Sequence, residues 1–159
     1  MGGFDSNTNQ VVICQNNAVT QAMQCRTLLH ELIHAFDKCR AHVDFSNIHH
    51  LACTEIRAAA FTKCSLMSKL VNGYTNHEEC TRAVAEKAIC TVRNVTEEEA
   101  RQAVSEVFTR CYNDTEPFGR HFKHLRIDPR NCLSENEKYG YTKSFSHIKD
   151  RRKEEEPKE

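Results

Sequence analysis

Residues 30 to 34 read His30-Glu31-Leu32-Ile33-His34, two imidazoles bracketing a carboxylate. On an α-helix, side chains four positions apart lie one above the other. His30 and His34 can therefore offer ring nitrogens to a single ion, at about 2.0–2.1 Å for zinc. Glu31 stands beside such an ion without binding it. From there it can take a proton from an attacking water and pass it to a leaving amine.

The pattern is H-E-x-x-H, the arrangement used for zinc-assisted peptide hydrolysis. The bland alternative is three polar residues that fall on one helix by chance, and the regular helical spacing around them weighs against it. A catalytic zinc needs a third protein ligand and an open fourth position. Asp37 continues the same face, but it lies two turns from His30, about 10.5 Å of rise, too far for one ion to reach both. It reads instead as an acceptor behind a ligating imidazole. The H-E-x-x-H-x-x-G-x-x-H extension also fails, because Asp37 and Arg40 occupy the positions that need Gly and His. The remaining candidates are His42, Asp44, His49, His50 and Glu55. A glutamate from a second helix is the usual third ligand beside two such histidines. Glu55, 21 residues after His34, is therefore favoured, with His50 and Asp44 behind it. His50 and Glu55 are five apart, so only one of them can face the ion. Arg57, or one of His42, His49 and His50, is a candidate for stabilising the oxyanion, but for each of these, as for Asp37, a purely structural role is the favoured reading.

The elements that must position these residues follow from periodicity. Met23, Leu28, Leu29, Leu32, Ile33 and Phe36 recur at helical spacing, so a helix is predicted from about Thr20 to Lys38, capped by Thr20 or Asn17. Residues 39–47 give the chain room to reverse. A second helix is expected from about Asn47 to Phe61, with Ile48, Leu51, Ala52, Ile56 and Ala59 inward, and a third from Glu78 to Val92. Thr96-Glu97-Glu98-Glu99 is a capping box that starts a fourth, running to about Tyr112. Asn113 to Gly119 ends it. Gln10 to Cys14 is β-branched and reads as a strand, so a small strand or hairpin is expected near residues 10–15. The fold class is mainly α (α+β), a compact zincin-like domain. Residues 1–148 form one domain. Residues 149–159 are almost all charged and read as a disordered tail.

Length and composition narrow the function. With 159 residues, 22 Lys and Arg against 22 Asp and Glu, the chain suits one neutral domain and lacks the basic surface that nucleic-acid binding needs. No apolar run approaches a membrane span, so membrane contact is expected to be peripheral. Met1 to Asp5 shows no basic, apolar, cleavable leader, which reads either as a cytosolic protein or as a chain without its targeting part. Nine cysteines without a C-x-x-C pair point to disulfides and an oxidising compartment, with at least one cysteine lacking an internal partner. Cys80 and Cys90 have the nine-residue interval of small helical disulfide proteins, in a single copy. The sequons at Asn94 and Asn113 are expected to be unmodified.

A resemblance sharpens this reading. Gly2-Gly3-Phe4-Asp5, Cys14-Gln15-Asn16-Asn17, His30 to Asp37, Cys39 to Asp44, His50 to Ala59 and Asn113 to Arg120 occur in that order. Together they resemble the mitochondrial inner membrane metalloprotease family that matures and helps assemble the membrane sector of ATP synthase, whose vertebrate members are also described as Ku-binding. The resemblance implies a zinc (Zn2+) endopeptidase with ligands at His30 and His34 and its catalytic glutamate at Glu31. It implies peripheral attachment to the inner membrane on the intermembrane-space side, oxidative folding, and a precursor of a membrane-sector ATP synthase subunit as substrate. Family members carry a Cys-containing segment where Met1 stands, so the chain reads as N-terminally shortened, and Phe45 replaces the usual Trp. The alternative from another class is an assembly chaperone or adaptor in which zinc and disulfides are structural only. A nuclear DNA-repair adaptor is disfavoured by the neutral charge and the cysteine load.

Overall fold

Each helix starts where a side chain supplies an acceptor for amides that have no partner inside the helix. The computed structural model describes residues 2–17, 20–64, 76–122, 131–132 and 134–135. In α1 (Gln21–Arg40) the cap is Thr20, whose hydroxyl accepts from the Met23 amide. In α2 (Ile48–Thr62) it is Asn47, accepting from His49 and His50. Asn76 caps α3 (His77–Val92) through the Glu79 amide. Thr96 and Glu99 form the reciprocal capping box of α4 (Glu97–Tyr112). The domain is mainly helical, as expected, with one two-stranded hairpin among the described residues.

That hairpin is one of the two forms expected of the N-terminal segment, a small strand or a hairpin, and it begins nearer the N-terminus than residue 10. β1 (Gly2–Asp5) pairs antiparallel with β2 (Gln10–Ile13), with Gly2 opposite Ile13 and Asp5 opposite Gln10. Its turn is held by Asp5, whose carboxylate accepts from the Asn7 amide at 2.9 Å and the Thr8 hydroxyl at 2.7 Å. Asn9 takes the left-handed conformation (φ 53°), which short polar side chains tolerate best after glycine.

α2 is the hub, packing against α1, α3 and α4. Its Ala58-Ala59-Ala60 run is fully buried and lets neighbouring backbones approach. One core cluster joins Leu51 and Ile56 to Ala85 and Ile89 of α3 and to Val104 and Phe108 of α4. A second joins Phe61 and Ala58 to Ile33 of α1 and to Phe118 and Phe122, beyond α4. Two disulfides radiate from the same helix. Cys53–Cys111 ties it to α4, and Cys64–Cys80 ties its C-terminal end to α3. Cys80 thus pairs across to Cys64 and not with Cys90, the spacing singled out in the sequence. None of the described helices is long and apolar enough to cross a membrane. The charged tail, 149–159, lies outside the described residues.

Candidate metal centre

The inward face of α1 is polar. Glu31, His34 and Asp37 are buried together with Ile33, whereas Met23, Leu28 and Leu32 are exposed. Residues 41–47 reverse the chain and lay α2 against that face, bringing Glu55 to the two histidines. His30, His34 and Glu55 each offer one ligand atom, and those atoms all lie within 4.8 Å of one another. The Nε2 atoms of His30 and His34 are 3.2 Å apart. The Glu55 carboxylate oxygens lie 3.6 Å from each. A tetrahedral zinc with ligands at about 2.0–2.1 Å has neighbouring donors about 3.3–3.4 Å apart, so the cluster fits that ion.

Hydroxyls on α2 decide which nitrogen each ring presents. Thr54 Oγ1 donates its only proton to Asp37 Oδ2 at 2.9 Å. It must therefore accept from His34 Nδ1, 2.8 Å away. Thr62 likewise spends its proton on the Ala58 carbonyl and faces His30 Nδ1 at 3.4 Å. Both rings then carry hydrogen on Nδ1 and turn an Nε2 lone pair toward Glu55. Glu55 Oε2 is buried and has no hydrogen-bond partner. Its 3.6 Å contacts with the rings are too long for hydrogen bonds. Two Nε2 lone pairs and an orphaned carboxyl oxygen thus converge, an arrangement that a cation resolves once Glu55 is ionised.

The electrostatics agree. Burial, then the neighbouring His34, then Lys63, pushes His30 down to about 3. Burial and Lys63 push His34 down to about 4. Both imidazoles are neutral at physiological pH, the form that binds metal. Burial raises Glu55 to about 7 against the pull of Lys63, with Glu31 adding to the rise. Glu31 is also raised by burial, opposed by Lys63 and by the backbone amide of Phe4, which donates to its carboxylate. A cavity of about 1000 Å³ opens over the centre, walled by β1, α1, the end of α2 and α3.

The other sequence candidates are elsewhere. Asp44 accepts from Ser46, and the Asp44 amide donates to His50 Nδ1. His49 pairs with Glu106 at 2.7 Å, and His42 is exposed. Arg57 does not reach the cavity. It is buried on Asp37 at 3.0 Å and Asp114 at 2.6 Å, and donates to the carbonyls of Asp114 and Glu116. Asp37 serves His34 through Thr54, one hydroxyl removed from the direct contact expected. Thr54 and Thr62 were not singled out in the sequence. Thr62 was within reach, because it lies two turns past Glu55 on the same helical face. The Phe4 amide carried no sequence signal.

The features describe a helical domain built around a two-histidine, one-glutamate donor set beside a buried carboxylate. The chain belongs to the Peptidase M76 family, whose model matches residues 1–119. It is 52% identical over 125 residues to the human "mitochondrial inner membrane protease ATP23 homolog", covering 75% of this chain and 51% of that protein. It is 49% identical over 137 residues to the Xenopus laevis protein of that name, covering 81% and 57%. The Yarrowia lipolytica "mitochondrial inner membrane protease ATP23" is 34% identical over 124 residues, covering 74% and 49%. The chain spans about half the length of these relatives. No solved structure matches.

Proposed function

We propose that the chain is a zinc metalloendopeptidase in which His30, His34 and Glu55 hold the metal and Glu31 is the general base. The observation that carries this reading is the convergence of two Nε2 lone pairs and an orphaned Glu55 oxygen beside Glu31. When bound, zinc supplies Lewis-acid polarisation of the scissile carbonyl and makes water more acidic. Glu31 removes a proton from the attacking water as its oxygen bonds to the carbonyl carbon. As the C–N bond breaks, Glu31 returns that proton to the departing amine. Its raised pKa suits a group that must both take and give a proton. The Phe4 amide holds the carboxylate in place. β1 pairs only with β2 among the described residues, and its Gly2 and Gly3 line the cavity. An extended substrate can lie along that edge by strand addition.

The relatives' names support a mitochondrial inner membrane setting, and two disulfides suit an oxidising compartment. We place the chain at the inner membrane, peripherally, on the intermembrane-space side. Its substrate there is the precursor of a membrane-sector ATP synthase subunit, whose assembly it aids. Peptide hydrolysis by zinc-loaded protein tests the reading. Glu31→Gln is expected to keep stoichiometric zinc and lose about 10²–10⁴-fold in kcat. Hydrolysis surviving that substitution would rule Glu31 out as the base.

A further inference from the structure

We propose that the cleft over the centre selects acidic peptide segments, with Arg26, Lys63, Lys87 and Arg93 receiving carboxylates that flank the bond to be cut. This rests on the peptidase reading and names its substrate class. All four cations line the cavity, and among the described residues its acidic lining is Glu31 and Glu55 alone, both already assigned to the centre. They come from separate walls. Arg26 lies one turn before His30 on α1, Lys63 caps the end of α2, Lys87 is on α3, and Arg93 follows it. A peptide entering the cavity therefore meets positive charge from α1, from the end of α2 and from α3.

None of these cations is paired with a carboxylate among the described residues. Arg40 and Arg57 are both paired with Asp37 and Asp114, and Arg101 with Glu98. Arg26, Lys63 and Lys87, by contrast, have no carboxylate partner among the described residues. Arg93 donates to the Phe45 carbonyl, which anchors it without neutralising it. In a chain with 22 basic and 22 acidic residues, the imbalance is local to the cleft. Lys63 acts on His30, Glu31, His34 and Glu55 alike, so one of the four cations reaches the reacting centre. A concave wall of one sign focuses its field on whatever enters. The recess, about 1000 Å³, admits an extended chain, whereas a flat membrane surface could touch only its rim.

The test uses the full chain, zinc-loaded and carrying Glu31→Gln, so that binding is read without turnover. The probes are short fluorescein-labelled peptides identical except for Glu, Gln or Lys at several positions. In about 50 mM NaCl the Glu peptide is expected to bind about five- to tenfold tighter than the Gln peptide, with the Lys peptide weakest. The gap should close in about 500 mM NaCl, where screening is short-ranged. Lys87→Gln should narrow it, and Lys87→Glu combined with Arg26→Glu should reverse it. Equal binding of the Glu and Gln peptides, or a preference indifferent to those substitutions, overturns the proposal. So does capture by phosphatidylserine vesicles through the same cations without selectivity for the Glu peptide. Parallel hydrolysis of a mixed peptide pool by the parent separates the two readings. Cleavage without acid preference sinks the selectivity alone. Acid-selective binding without cleavage sinks the peptidase reading and the cleft's role in substrate selection with it, leaving only an acid-binding cleft.

Discussion

Thr54 stands between His34 and Asp37, accepting from one and donating to the other. Thr54→Val keeps the shape, removes both bonds, and leaves the His34 ring free to choose its tautomer. Zinc affinity is expected to fall about 10–100-fold, read by competition with a chromogenic chelator, and Thr54→Ser should recover most of it. Parental affinity in the valine variant would show that the hydroxyl does not orient the ring. Glu55 makes the opposite case, a residue kept at the expense of the metal-free fold. Its carboxyl is held up at about 7 by burial, above its ordinary 4.5. A raised carboxyl stabilises the fold fully only below the unfolded value. That contribution is lost as pH rises through about 7, where an anion must be buried. Glu55→Gln cannot charge. At pH 8 in EDTA it is expected to be more stable than the parent by up to about 1–3 kcal/mol, while binding zinc far more weakly. Urea unfolding of both forms, with and without EDTA, measures the two effects separately.

α1 shows how far a sequence pattern reaches and where it stops. Its length, its Thr20 cap and its H-E-x-x-H face were legible, as were the extents of α2, α3 and α4, because caps and period are local. The side it buries was not. Apolar spacing points at Leu28 and Leu32, which are 40% and 47% exposed. The buried face carries Glu31, His34 and Asp37, polar groups whose partners include Phe4 of β1 and Thr54 and Arg57 of α2, brought in from elsewhere in the fold. β1 escaped because Gly2 and Gly3 carry no strand propensity, and only pairing with β2 makes them a strand. Glu55 was legible as a helical carboxylate at the right remove. Arg57 proves structural, and its anchors at Asp114 and Glu116, far along the chain, were not legible. That anchor is testable at this scale. Arg57 is 1% exposed and joins α2 to Asp37 of α1 and to the 114–116 segment beyond α4. Arg57→Ala leaves Asp37 buried with a weaker set of partners. It is expected to cost about 3–5 kcal/mol in denaturant unfolding, whereas an exposed pair such as Arg101–Glu98 should give less than about 1 kcal/mol. A small loss at Arg57 would mean that Arg40, which also pairs with Asp37, suffices alone.

At the scale of the whole molecule, α2 is tied to two of the other described helices by disulfides and to the third by the proposed metal centre. Cys53–Cys111 joins it to α4 and Cys64–Cys80 to α3, while the proposed zinc, held between His30, His34 and Glu55, joins it to α1. Closing loops of 58 and 16 residues removes unfolded-state entropy on the order of 3–4 kcal/mol each. Zinc at about 1,000 times its Kd adds about 4 kcal/mol, because it binds the folded form alone. The attachments are therefore comparable in strength but different in reach. Chelation should release α1 and the β1–β2 hairpin that rests on it, leaving α2, α3 and α4 cross-linked around their shared core. Reduction should act on the other side, exposing α3 and α4 while zinc keeps α1 on α2. Amide hydrogen exchange reads this directly. EDTA is expected to speed exchange in residues 21–40 and 2–13 and spare 97–112, with dithiothreitol in the presence of zinc giving the reverse. A uniform rise under either treatment would mean that the helices unfold as one unit and that no single attachment governs any one of them.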